Sequence, residues 1–146
     1  MLWIKIKKLN DAAIIPTKKD EDAGYDIYGI PSVEEETRGV YSFKSGSLTM
    51  VPTGIATEIP KGYVAILKER GSSGSKGLAV RCGVIDSGYR GEWFVCINNT
   101  TDHVVNYPVE KAIAQAVFVK AENVVFIEDE FSSSERGEGK LGSSGK

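Results

Sequence analysis

A chain of 146 residues, 41% hydrophobic and 26% charged, has the size of one compact domain able to bury a single core without metal or disulfide staples. Its 18 Lys and Arg against 20 Asp and Glu leave a formal net charge of -2, so the molecule as a whole has no electrostatic case for binding nucleic acid or an anionic membrane. Cys82 and Cys96 lie in apolar surroundings without C-x-x-C spacing, which fits free thiols in a reducing compartment rather than a disulfide framework.

The opening MLWIKIKKLN alternates apolar residues with lysines, lacks a small-residue cleavage site, and reads as a strand over Leu2–Lys7 rather than a signal peptide. No apolar run approaches the roughly 18 residues of a membrane span, so the expectation is a cytoplasmic protein that engages no membrane. Further strands are predicted over Tyr25–Tyr28, Gly39–Phe43, Ser47–Val51, Gly54–Ile59, Tyr63–Glu69, Leu78–Ile85, Glu92–Asn98, His103–Tyr107, Ile113–Val119 and Val124–Ile127. No helical apolar stripe lasts three turns, and about eleven short strands predict an all-β jelly roll or barrel-like sandwich. Between them, IPSVEEETRG and KSGS read as solvated turns, with Glu34–Glu36 a wet edge of no function. Residues 1–131 form the predicted domain; from Ser132 to Lys146 one leucine stands among small and charged residues, too little apolar surface to order itself. That segment is either a disordered tail or a Gly-rich arm that orders over a ligand, because Gly and Ser backbones approach phosphates closely and Arg136 can pair with them.

Residue types exclude several catalytic systems. His103, the single histidine, sits in TTDHVVNY, a turn running into a strand. With no second histidine and no paired cysteines there is no zinc ligand set, and no histidine accompanies a Ser or Cys motif to serve an acyl-transfer triad. GSSGSKG, residues 71–77, departs from the P-loop spacing, yet Arg70 leads into it and its small residues would expose backbone N–H groups and hydroxyls. An anion-binding loop and a flexible connection after YVAILKER stand equally on composition. In GVIDSGYRGEWFV, Gly83–Val95, the run Asp86-Ser87-Gly88 has the chemistry of a hairpin turn, where Asp holds local backbone amides. Asp86 gains interest from its company, Tyr89 beside it and the arginine-led loop 16 positions upstream.

Taken in order, these segments resemble the trimeric dUTP diphosphatases (dUTPases) over nearly the full chain. AGYDIY, Ala23–Tyr28, is similar to the first family motif; ERGSSGSKG, Glu69–Gly77, to the second; GVIDSGYRGE to the third; AIAQAVF, Ala112–Phe118, to the fourth; and RGEGKLGSSG, Arg136–Gly145, to the Gly-rich fifth. The third and fifth are individually specific. The resemblance implies a jelly-roll, distorted β-barrel of the dUTPase type, assembled as a homotrimer whose sites draw on several subunits, with residues 132–146 reaching across as a flexible lid.

The activity it implies is the splitting of dUTP into dUMP and pyrophosphate by water attack on the α-phosphorus with Mg²⁺, a reaction that asks the protein for positioning and charge stabilisation. By resemblance, Asp86 orients the water as general base. Arg70 with Gly71, Ser72 and Ser73 grips the phosphates, Gln115 adds an uncharged contact, and Arg136 with Gly142, Ser143 and Ser144 closes over the β- and γ-phosphates. Asp26 supports the site, and Mg²⁺ is held through phosphate oxygens and waters without a protein ligand cluster. Gly83, Val84 and Ile85 would turn main-chain groups toward uracil, and Tyr89 would lie flat against the deoxyribose, where its ring excludes a ribose 2'-OH.

Three of the motifs depart from the family pattern. Gly71 stands where Ser is usual after the arginine; Leu141 replaces a Phe that stacks on the base; and Glu110, Lys111 and Ala112 open the fourth motif in place of Gly and a basic residue. Two other readings share the fold or the ligand. A dCTP deaminase is disfavoured by the D-S-G-Y turn. An intact Asp86 argues against a purely regulatory nucleotide-binding module, while leaving room for a regulatory protein partner.

Overall fold

The computed structural model describes residues 1–142 and Gly145. Among these, the elements run β1 Lys5–Lys8, β2 Tyr25–Ile27, α1 Val33–Arg38, β3 Val40–Phe43, β4 Leu48–Pro52, β5 Ile55–Glu58, β6 Tyr63–Lys68, α2 Gly71–Gly74, β7 Leu78–Arg81, β8 Val84–Ile85, β9 Phe94–Asn99, β10 Val105–Pro108 and β11 Ala114–Lys120. Every strand pairing is antiparallel, and the strands group into small sheets ordered β1-β5, β3-β10, β2-β11-β6-β8 and β4-β9-β7. They curl around one core in which Trp93, Tyr41, Tyr107, Phe43, Ile27 and Ile97 are fully buried, giving the expected all-β, distorted jelly-roll barrel. Trp93 donates its Nε1–H to Thr57 Oγ1 at 3.0 Å, so burying the indole leaves no orphaned donor. Asn99, also fully buried, donates from Nδ2 to the Phe43 and His103 carbonyls, tying the end of β9 to β3 and to the turn before β10.

The strand expected over Leu78–Ile85 is two strands. At Cys82 the backbone enters the left-handed region, φ 53°, which a residue with a Cβ rarely adopts. The chain thereby leaves β9 at Arg81 and joins β6 at Val84, changing sheets. Gly83 sits at the crossing because a Cβ there would overlap the Leu67 carbonyl oxygen, and Leu67 N–H donates to Gly83 O at 2.7 Å. For the same reason the hairpin expected over Gly83–Val95 is not one. Its flanking strands belong to different sheets, and residues 86–93 are the link between them.

Two further expectations change. Glu34–Glu36 belong to a one-and-a-half-turn helix rather than a turn: Ser32 Oγ accepts from Glu35 N–H, Glu35 Oε1 accepts from Ser32 N–H, and Gly39 ends the helix at φ 75°. Val124–Ile127 has strand composition but forms no strand, since a strand requires a paired edge and a lone chain supplies none here. These four side chains are 64–93% exposed, and residues 121–142 contain neither helix nor strand. Among the described residues no helix is long and apolar enough to cross a membrane.

Candidate active site

The central part of the β2-β11-β6-β8 sheet lines up the residues expected to meet an anion. Gln115 of β11 lies between Asp26 of β2 and Lys68 of β6 in register, and side chains paired across antiparallel strands share a face. Two residues past β6, Arg70 turns back, and its Nε lies 3.0 Å from Asp26 Oδ1, both side chains about one-third exposed. At that exposure an ion pair adds at most about 1 kcal/mol to stability, so its main effect is to fix where the guanidinium points. Gln115 donates from Nε2 to Glu69 O at 3.0 Å, and Gly24 gives it room, because a Cβ there would overlap Gln115 Oε1. The result is a cleft of about 360 Å³ lined by Asp22, Ala23, Gly24, Asp26, Arg70, Gly71, Ser72 and Gln115.

The loop after Arg70 is shaped by its serines. Ser73 is fully buried; its hydroxyl accepts from Arg70 N–H at 3.1 Å and lies 3.3 Å from Arg70 O, closing the turn that opens α2. Ser73 thus builds the loop and does not face the cleft. Ser72 is exposed, with its Oγ 3.1 Å from the Tyr107 hydroxyl. Gly71 has open space around it, so the usual serine at that position could be accommodated sterically.

Asp86 and Tyr89 form a second cluster. Tyr89 N–H donates to Asp86 O at 3.1 Å, making Asp86–Tyr89 a tight turn, and the Asp86 carboxylate has no hydrogen-bond or ionic partner among the described residues. The Tyr89 ring is braced: its hydroxyl donates to Glu92 O at 2.7 Å, and a Cβ at Gly91 would come within 2.6 Å of it. Beside this turn, β8 is the edge of its sheet. Antiparallel pairing alternates, so the Leu67–Gly83 bond places the next pair, Ile66–Val84, in the non-bonded position. Val84 therefore turns its N–H and C=O outward from the sheet edge, while Ile85 is buried in the core.

The two clusters do not meet within one chain. Asp86 follows the Ala65–Ile85 pair and lies level with Val64, at the opposite end of β6 from Arg70. Six extended residues span about 20 Å, whereas a general base must reach its water and the reacting atom within hydrogen-bond distances.

A family model for dUTPase matches residues 10–145. The chain belongs to the dUTPase family. Among dUTPases, the deoxyuridine 5'-triphosphate nucleotidohydrolase of Nautilia profundicola is 38% identical over 148 residues, covering 98% of this chain and 99% of that protein. In structure, a point mutant of the dUTPase from phage 80alpha aligns with a TM-score of 0.77 at 27% identity, covering 97% and 98% of the two chains. The Staphylococcus bacteriophage 80alpha dUTPase with dUPNHPP aligns at a TM-score of 0.76 and 27% identity over 99% of each chain.

Set against that family pattern, Asp26, Arg70, Gly71, Ser72 and Gln115 share the cleft, and Gly83, Val84, Asp86 and Tyr89 share the edge at β8. Arg136, Leu141 and Gly142 join neither group: they help line a hollow formed by tail residues alone, with Arg136 Nε donating to Gly139 O and Leu141 fully exposed. Ser143 and Ser144 lie outside the described residues. Sequence reasoning missed Asp22, which precedes the first motif without marking, and Tyr107, which meets Ser72 across 35 positions.

Proposed function

We propose that the protein hydrolyses dUTP to dUMP and pyrophosphate by water attack on the α-phosphorus, in a homotrimer whose sites combine the Arg70 cleft of one subunit with the Asp86 edge of another. The observation that carries this reading is the arrangement of Asp26, Arg70 and Gln115 on neighbouring strands, a preformed grip for a polyanion, in a dUTPase chain whose base-reading edge lies elsewhere. Separation of the two clusters by about 20 Å favours a composite site. So does the exposed apolar run Val124–Ile127, which invites burial against another copy.

In this mechanism Arg70, aimed by Asp26, binds phosphate oxygens with charge-assisted hydrogen bonds, and Gln115 adds an uncharged donor or acceptor. Mg²⁺ fits the cleft's donor set, in which Asp22 and Asp26 can hold waters of an ion that prefers phosphate oxygens and retained waters to an all-protein cage. Bound with the substrate, the metal supplies neutralisation of phosphate charge. The outward N–H and C=O of Val84 pair with uracil, and the braced Tyr89 ring walls off a 2'-OH. The free carboxylate of Asp86 accepts a proton from the attacking water and orients it. The tail, with Arg136 and Leu141, closes over the bound nucleotide and excludes bulk water.

The test is pyrophosphate release with Mg²⁺ from dUTP, dTTP, dCTP and UTP. We expect turnover of dUTP at least a hundredfold above the others. Equal rates across the four would overturn the assignment, and ammonia release from dCTP would replace it with a deaminase.

A further inference from the structure

We infer that Tyr107 is a positioning residue for the phosphate-gripping loop, holding Ser72 in place and locking that loop to the start of β11. The inference rests on the reading of the Arg70 cleft as the phosphate grip. Tyr107 lies in β10 with no exposed surface, yet its hydroxyl reaches both the Arg70 loop and the buried segment just before β11. It donates to Ala112 O at 2.8 Å and lies 3.1 Å from Ser72 Oγ.

A phenol has one proton. With that proton on Ala112 O, the Tyr107 oxygen accepts, and Ser72 must donate. The serine lone pairs are thereby left for Arg70, whose Nη1 lies 3.5 Å from Ser72 Oγ. Ala112 stands three residues before Gln115, which itself donates to Glu69 O next to Arg70. The Tyr107 hydroxyl thus closes a circuit from Ser72 through Ala112 and β11 to Gln115, Glu69 and Arg70. Lys76, at the far end of the same loop, places its Nζ 5.4 Å from the centre of the Tyr107 ring, a second point of attachment.

One consequence bears on Gly71. With its proton committed to Tyr107, the Ser72 hydroxyl is a strut of the loop and does not replace the donor that the missing serine at position 71 would supply.

The test compares wild type, Tyr107→Phe, Ser72→Ala and the double variant. Tyr107→Phe keeps the buried ring, and all four are assayed below their melting temperatures. We expect Tyr107→Phe to lower kcat/KM for dUTP about five- to tenfold, the size of one lost hydrogen bond, with the loss carried by KM and kcat within twofold of wild type. Ser72→Ala should match it and the double variant should fall no further, because both break the circuit at its Tyr107–Ser72 link, even though Tyr107→Phe also gives up the bond to Ala112 O. A general loss of packing would not reproduce that non-additivity. A Tyr107→Phe KM within twofold of wild type, or effects that multiply, overturns the inference. The same proteins titrated with inorganic tripolyphosphate separate it from the functional reading. If wild type leaves dUTP intact but the two single variants and the double lose tripolyphosphate affinity equally, Tyr107's role stands and the hydrolase assignment falls; equal affinities in all four, or no binding by wild type, overturn the inference.

Discussion

The cleft at Arg70 and the turn at Asp86 are built in opposite ways. In the cleft, Asp26 is paired, Gln115 is bonded to a carbonyl, and the loop is closed by Ser73. At the turn, the backbone and Tyr89 are braced while the Asp86 carboxylate is left without a partner among the described residues. The difference fits the roles proposed for the two. A group that receives a polyanion works best when already aimed, because no ordering cost is then incurred on binding, whereas a base must keep its lone pairs open for a proton.

The largest expected effect separates the two. Asp86→Asn should reduce kcat about a thousandfold, within the range of a lost general base, while dUTP affinity measured by calorimetry stays within threefold of wild type. Near-normal turnover would remove Asp86 from the chemistry, and lost binding would make it part of the grip. Next comes the tail, whose described residues Arg136, Leu141 and Gly142 join neither cluster in the lone chain. Deleting residues 132–146 should lower kcat/KM by roughly thirtyfold, the worth of one or two charge-assisted bonds, with the melting temperature unchanged; a fall in melting temperature would show that the tail supports the barrel itself.

The all-β fold and the family are legible in the sequence, and so are the candidate residues Arg70, Asp86, Tyr89 and Gln115, which stand in contiguous motifs. The change of sheet at Cys82 is not, because a single left-handed residue in an apolar run leaves no periodic signature. The box Ser32-x-x-Glu35 that starts α1 is a readable signal, but a helix of six residues shows too little periodicity to outweigh a turn-like composition. Val124–Ile127 has the composition of a strand, and what was missing is a partner, which no reading of one chain supplies. The bond between Tyr107 and Ser72 depends on β10 and the Arg70 loop meeting in space, and nothing local marks it.

A smaller effect sharpens the view of the tail. If the tail closes as proposed, Leu141→Phe would add a stacking face to that cover, and should tighten dUTP binding about fivefold, at the low end of base–aromatic stacking. An unchanged affinity would mean that residue 141 does not reach the base. The smallest concerns the residue just before Arg70. Glu69 is held below its ordinary value of 4.5, first by its own backbone N–H, with burial opposing, and then by the Val80 N–H and Lys68. A carboxyl depressed on folding stabilises the fold above its unfolded value and loses that contribution as pH falls through the folded one. Melting temperatures of wild type and Glu69→Gln should therefore differ slightly at neutral pH and converge below about pH 4.5; a gap constant down to about pH 3 would show that the carboxylate charge plays no part.

The exposed run Val124–Ile127 carries a risk before any assembly exists. Four β-prone apolar residues without proline are the kind of segment that pairs indiscriminately with its like on a newly made chain. Glu122 precedes it and Glu128, Asp129 and Glu130 follow at once, so misaligned stacking of identical copies would set like charges against one another. These acids act as gatekeepers, and neutralising all four should cost soluble yield during expression while leaving the purified protein's turnover intact.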